Sequence, residues 1–213
     1  MVSTYKKYII LFIEILIIVG LTFSSWLIPS ISILSLRLIV RIILNLLIGL
    51  SGYIAIKMSN IEIDFEWSKY KQFIIGALIA LVLSIIVAWI PALCGFSLVG
   101  NHIDFVWGEF FYNLFFYLLI VGPVEELVFR VYFQKTFVNM FSKNRWIGVI
   151  IASALFGLWH LINGSFIQVL FTFGIGLVFG LTKEYIKDLH YPGIALSHGL
   201  YDFLNYIVTL TIA

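Results

Sequence analysis

Three short runs carry side chains that can move protons, and each lies inside an apolar stretch. They are Gly122-Pro123-Val124-Glu125-Glu126-Leu127-Val128-Phe129-Arg130, then Phe156-Gly157-Leu158-Trp159-His160, then His198-Gly199-Leu200-Tyr201-Asp202. A charge at the middle of a membrane helix costs about 2.5–3.5 kcal/mol on insertion scales, so such groups are functional candidates by default. Helix geometry sorts them. Glu126 and Arg130 are four apart and share a face, where they can pair. Glu125 is rotated about 100° from Glu126, which makes it the better candidate for a general base. His198 and Asp202 are also four apart, so the carboxylate can fix the imidazole tautomer or join it as a metal ligand. His160 must be brought in by folding. Each group has a plainer alternative: Glu126–Arg130 as a pair that only makes burial tolerable, His160 as an interhelical hydrogen-bonding group, Phe156 and Trp159 as packing. Two histidines and two adjacent acids on separate apolar segments together point to chemistry.

The elements that must hold these groups are membrane helices. Of 213 residues, 62% are hydrophobic and 11% charged, against roughly 45–50% and about 25% in soluble domains. Apolar runs reach the roughly 20 residues needed to cross about 30 Å of hydrocarbon. The fold class expected is all-α, a polytopic transmembrane helical bundle of about seven spans. The spans read as 8–28, 36–57, 72–95, a fourth region from 105 to 141 kinked near Pro123, then 146–161, 166–182 and 193–213. The first follows Lys6 and Lys7 and lacks a small-x-small cleavage site, so it reads as a retained helix. Gly176 and Gly180 form a GxxxG spacing that lets helices approach closely, with Gly174 alongside. Cys94 falls in an apolar run and reads as packing; as the single cysteine it excludes an intrachain disulfide framework. Glu14, Glu109 and Arg41 sit where long side chains can snorkel to a span end.

Loop charge gives an orientation. With the N-terminus inside, Lys6, Lys7, Lys57, Lys69, Lys71, Lys135, Lys143, Arg145, Lys183 and Lys187 share the cytoplasmic side, and Arg37 and Arg41 the outer one. The mixed-charge segment 61–71 reads as a solvated cytoplasmic loop. Thirteen basic against eleven acidic residues leave no basic domain for nucleic acid, and none is expected as a partner. Glu126 and His160 each stand 17 residues from Lys143, so a hairpin turning there places both roughly 25 Å from the turn. His198 lies only a few residues into its span, which sets it shallower.

Glu125-Glu126-x-x-x-Arg130, Phe156-x-x-x-His160 and His198-x-x-x-Asp202, in this order, resemble the three motifs of the CPBP intramembrane protease family. That family includes type II CAAX prenyl endopeptidases and the bacterial Abi, or bacteriocin-processing and immunity, proteins. The resemblance divides a single membrane domain into N-terminal transmembrane helices, 1–104, and a CPBP-like catalytic core, 105–213. It implies an intramembrane endopeptidase that hydrolyses a peptide bond in a membrane-associated peptide or protein, for peptide maturation or bacteriocin self-immunity. By carry-over, Glu125 activates water with help from His160, Glu126 and Arg130 form a supporting pair, and His198 and Asp202 bind the reacting carbonyl, its oxyanion or a metal. Type II CAAX proteases usually carry Asn where Asp202 stands; an ionised Asp only accepts hydrogen bonds, which suits orientation of His198 or metal ligation. A divalent metal such as zinc is an open expectation, with Glu125, His160, His198 and Asp202 as candidate ligands, although there is no HExxH helix. The further helix of type II CAAX endopeptidases has no counterpart before Ala213. The expectation is therefore a bacterial plasma-membrane protein acting on a peptide precursor, bacteriocin leader or signalling peptide. The competing readings are a non-enzymatic immunity or peptide-binding membrane protein and, less well matched to the motif order, a proton or ion transporter.

Overall fold

The computed structural model describes residues 4–96, 99–162 and 164–211. Among these there is no strand. Seven helical rods follow one another: α1 (Thr4–Ser24, continued by a 3₁₀ turn, Ser25–Ser30), α2 (Leu34–Met58), α3 (Lys71–Leu93), α4 (107–140), α5 (Arg145–Trp159), α6 (Phe166–Tyr185) and α7 (Tyr191–Thr211). Five of them, Tyr5–Ser30, Leu34–Met58, Lys71–Leu93, Arg145–Ile162 and Phe166–Tyr185, are long and apolar enough to span a membrane. The other two carry the Glu-Glu-Arg and His-Asp motifs. The protein is an all-α polytopic membrane protein.

The prolines explain where the helices deviate. Pro29 lies in the 3₁₀ turn that closes α1. Pro91 and Pro123 instead lie within continuous rods, each just after a five-residue π-helical segment, Ile85–Trp89 and Tyr117–Val121. A proline has no N–H for the carbonyl four residues back, and the wider π turn re-registers the acceptors around that gap. α4 is helical on both sides of Pro123, and a second π segment, Leu127–Gln134, follows Glu126 without any proline to account for it.

The chain divides into two compact units, Met1–Asp64 with Val124–Lys187, and Phe65–Pro123 with Asp188–Ala213. In the first, α1 packs on α2, α2 on the second π segment, and α5 on both α6 and the end of α4. Lipid supplies no hydrophobic drive between helices, so close approach of small residues does that work. A Cβ at Gly148 would stand 2.7 Å from the Val138 Cα, and one at Gly180 would stand 2.8 Å from Gln134 Oε1. Gln134 Nε2 donates to the Gly180 carbonyl at 2.9 Å. The GxxxG pair is thus a contact surface, whereas nothing lies within 4 Å of a Cβ at Gly174.

Charges gather at one end of this unit. Lys183 pairs with Asp64 at 2.6 Å, Arg145 with Glu184, and Lys135 Nζ donates to the Glu62 carbonyl at 3.0 Å. Tryptophans mark the other end, where Trp26 Nε1 donates to the Ile162 carbonyl at 2.6 Å. Along α1, Lys7 and Trp26 stand roughly 30 Å apart, about one hydrocarbon thickness.

In the second unit α7 packs along α3 and the first half of α4. Glycines again set the crossings: Gly76 meets the Gly193 carbonyl, and a Cβ at Gly122 would stand 2.9 Å from the Gly199 Cα. Gly193 N–H donates to Gln72 Oε1 at 3.0 Å, Tyr191 Oη to the Pro123 carbonyl at 2.9 Å, and Ser84 Oγ to Asn205 Oδ1 at 3.1 Å. In the loop before α3, Ser68 donates to the Glu66 carboxylate from both its N–H and its hydroxyl, which holds that carboxyl below the usual range.

Two expectations are corrected. Cys94 is exposed, in the turn after α3, because the helix ends at Leu93 and the turn carries it out of the packed rod. Glu14 does not snorkel. It is the eleventh residue of α1, only 2% exposed, and accepts a hydrogen bond from Ser51 Oγ at 3.0 Å beside the gap left by Gly52.

Gly148→Ala is expected to lower stability by about 1–3 kcal/mol, since a backbone rather than a flexible tip must yield, while Gly174→Ala is neutral or slightly stabilising. Thermal unfolding of both variants in detergent checks this. Equal melting temperatures would refute the close α4–α5 approach.

Candidate functional site

The Glu-Glu-Arg motif straddles the start of the second π segment. Glu126, fully buried, precedes it, and Arg130, 2% exposed, lies inside it. Arg130 Nε stands 3.3 Å from Glu126 Oε2 with both side chains fully shielded. Such a pair is tolerable in a low-dielectric interior because each charge cancels the other. The guanidinium also lies over the Phe156 ring, 5.1 Å from its centroid, where the ring's negative face adds a cation–π attraction. Gly176 makes room for this: a Cβ there would stand 3.0 Å from Phe156 Cδ1 and 3.5 Å from Arg130 Nη2. Glu125 is 7% exposed and adjoins Glu126 on the turn before the π segment.

The α4–α5 hairpin brings the second motif to the same level. Phe129 packs edge-on against Phe156 at 5.0 Å and lies tilted against Trp159 at 5.2 Å. His160 caps α5, half-buried between the Phe156 and Trp159 rings. Its Nδ1 lies 2.8 Å from the Phe156 carbonyl. A carbonyl can only accept, so Nδ1 carries the proton in the neutral ring and Nε2 keeps the lone pair that can take another. The turn that carries His160 is braced from α1, where Trp159 Nε1 donates to Thr22 Oγ1 at 2.5 Å and Trp26 to Ile162. Phe156 and Trp159, read from sequence as packing, thus also orient a histidine. Thr22 and Trp26 had no sequence signal beyond a span end.

The third motif lies in the second unit. α7 is buried from its first turn, with Tyr191 and Ile194 shielded, so His198 is not near a solvated end of that helix. His198 is 3% exposed, and its Nε2 lies 3.6 Å from Asp202 Oδ2. This is an electrostatic contact longer than a hydrogen bond. The neighbouring Gly199 sits against the Leu118 Cα, where a Cβ would stand 2.9 Å away, and this fixes the turn that presents His198. The structure therefore brings together Glu126, Arg130, Phe156 and His160 through one set of contacts, and His198 with Asp202 through another.

Within either unit, no three His, Cys, Asp or Glu side chains among the described residues gather to hold a metal ion. His198 with Asp202 is a pair, short of the four-coordinate donor set zinc requires.

The helices and these buried polar groups define a polytopic membrane protein with ionisable side chains inside its apolar segments. Residues 107–204 match the family model described as type II CAAX prenyl endopeptidase Rce1-like, consistent with the CPBP family. All six motif residues fall inside that stretch. The match supports intramembrane protease activity of the CAAX type in general, and with it a lipid bilayer and a peptide substrate. No curated protein and no solved structure matches.

Removing one member of the Glu126–Arg130 pair strands a buried charge, so Arg130→Met is expected to cost about 3–5 kcal/mol. The double variant Glu126→Gln with Arg130→Met should recover most of that loss. Unfolding by denaturing detergent measures both, and a double variant as unstable as the single one would refute mutual neutralisation.

Proposed function

We propose that this chain is an intramembrane endopeptidase whose catalytic core is 105–213 and whose general base is Glu125. The observation that carries the reading is the Rce1-like match over 107–204, which encloses Glu125, Glu126, Arg130, His160, His198 and Asp202. Two local features support it. Glu125 is buried beside a partner acid already committed to Arg130, so the adjacent carboxylates have different environments and different work. His160 is held with Nε2 as its basic nitrogen.

In this mechanism Glu125 removes a proton from water as the oxygen attacks the scissile carbonyl carbon. The carbonyl π bond opens to an oxyanion. Collapse of the tetrahedral intermediate breaks the C–N bond, and the proton held by Glu125 or His160 passes to the leaving amine. Arg130 pairs with Glu126 and holds it in place. His198, beside Asp202, serves the reacting carbonyl, where a ring N–H can donate to the oxyanion. The substrate is a membrane-associated peptide or protein, and maturation of a peptide precursor or bacteriocin self-protection is the corresponding role. In this reading the lysine-rich end of the first unit faces the cytoplasm across a bacterial plasma membrane, with the N-terminus inside, which the preference of Lys and Arg for that side supports.

Reconstituted protein is offered a library of membrane-anchored peptides and the released fragments are read by mass spectrometry. Glu125→Gln should lower cleavage at least about 10²-fold, the usual share of a general base, with an unchanged melting temperature. Undiminished cleavage by a folded Glu125→Gln variant would overturn the assignment.

A further inference from the structure

The first unit contains a cavity of about 570 Å³ where the start of α1, the end of α2 and the end of α4 meet. None of the six motif residues lines it. Lys7 enters from α1 and Lys135 from α4, and Asn60, Asn139 and Thr136 add neutral hydrogen-bonding groups. Asn60 turns the chain in the left-handed region at φ 53°, a conformation asparagine tolerates, so that the segment after α2 bends round the cavity. The Thr136 hydroxyl is buried with no hydrogen-bond partner among the described residues. Lys135 gives one of its three donors to the Glu62 carbonyl, which leaves two. The acid on the lining is Glu62, so the cationic side chains outnumber the anionic.

Apart from Ser59, the remaining wall is apolar. Tyr8 and Leu11 belong to it, and Tyr8 begins a row on α1 with Phe12 and Leu16, spaced by four and 49%, 62% and 54% exposed. Residues at that spacing share one helix face. A cationic, hydrogen-bonding cavity at the charged end of the helices thus opens onto an apolar track that runs toward the membrane interior. A soluble anion would use only the cavity. A phospholipid uses both, and basic pockets between helices at a membrane surface are sites for anionic headgroups.

We infer that this cavity seats the phosphate headgroup of an anionic phospholipid, with Lys7 and Lys135 on the phosphate, the asparagines on headgroup hydroxyls, and an acyl chain along Tyr8, Phe12 and Leu16. The site is independent of the protease reading, since it shares no residue with the motifs.

The test uses the purified full chain in detergent, with native mass spectrometry of retained lipid. Phosphatidylglycerol should be retained at least tenfold better than phosphatidylcholine. Lys7→Gln and Lys135→Gln should each lower its retention about fivefold and together about 25-fold, the weight of one lysine near a membrane surface. Lys143→Gln, on the same end but outside the cavity, should change nothing. Both cavity lysines are exposed, and the variants' melting temperatures without lipid should match the parent. Phe12→Gln should weaken phosphatidylglycerol without affecting glycerol 3-phosphate. Binding of glycerol 3-phosphate as tight as that of the lipid would assign the cavity to a free phosphate and overturn the lipid. Equal retention of phosphatidylcholine, or full retention by the double lysine variant, would overturn the site.

Discussion

The buried ion pair between Glu126 and Arg130 sets the demand that much of the first unit meets. Neither side chain reaches solvent, and removing a carboxylate or a guanidinium from water costs several kcal/mol per ion even after relaxation. A single contact at 3.3 Å offsets only part of that. The rest must come from groups arranged around the guanidinium. Phe156 supplies the face of its ring, and Gly176 leaves the space in which ring and guanidinium lie together. Ser153 is fully buried beneath them, its hydroxyl returned to the Val149 carbonyl, so it adds no unmet donor. The small residues of α5 and α6 are therefore tied to the charge on α4.

Backbone geometry carries a second part of the arrangement. The π segment before Pro123 answers a missing N–H, whereas the one from Leu127 to Gln134 has no such cause. A π turn rotates the following side chains relative to an ideal α-helix, and such widenings concentrate at functional sites. Here every residue from Val128 to Gln134 is buried, including Arg130, Tyr132 and Gln134. An α-helix with that many inward residues would turn some of them to lipid, because its apolar stripe covers only part of the circumference. The wider turn lets one stretch present charge, hydroxyl and amide to neighbouring helices.

Several of these features could be read from the residues. The rods were legible because lipid requires long uncharged stretches, and their boundaries fall within a few residues of the hydropathy limits. The Glu126–Arg130 and His198–Asp202 pairings were legible because spacing by four is a property of the helix itself. Glu14 was not. Its burial depends on Ser51 and on the absence of a side chain at Gly52, thirty-seven and thirty-eight residues along the chain, and nothing local distinguishes it from Glu109, which is exposed in the first turn of its helix. The protonated nitrogen of His160 was equally hidden, since it depends on a carbonyl freed where α5 ends. The second π segment has no proline or glycine within it to announce it.

What remained hidden shares a physical origin. In water, helices are held by apolar area, which composition reveals. In lipid that drive is absent, and association depends on close contact and on polar groups finding partners. A glycine then carries information only when its neighbour is known. Gly122 and Gly199 touch backbone to backbone, and that contact sets the approach of α4 to α7 one residue from His198. Gly174, two residues from the packed Gly176, touches nothing. The three glycines of α6 look alike in sequence, yet only Gly176 and Gly180 face another helix. Identity of residue therefore names the polar side chains on the helices of this protein, while the pairing of small residues determines which of them meet.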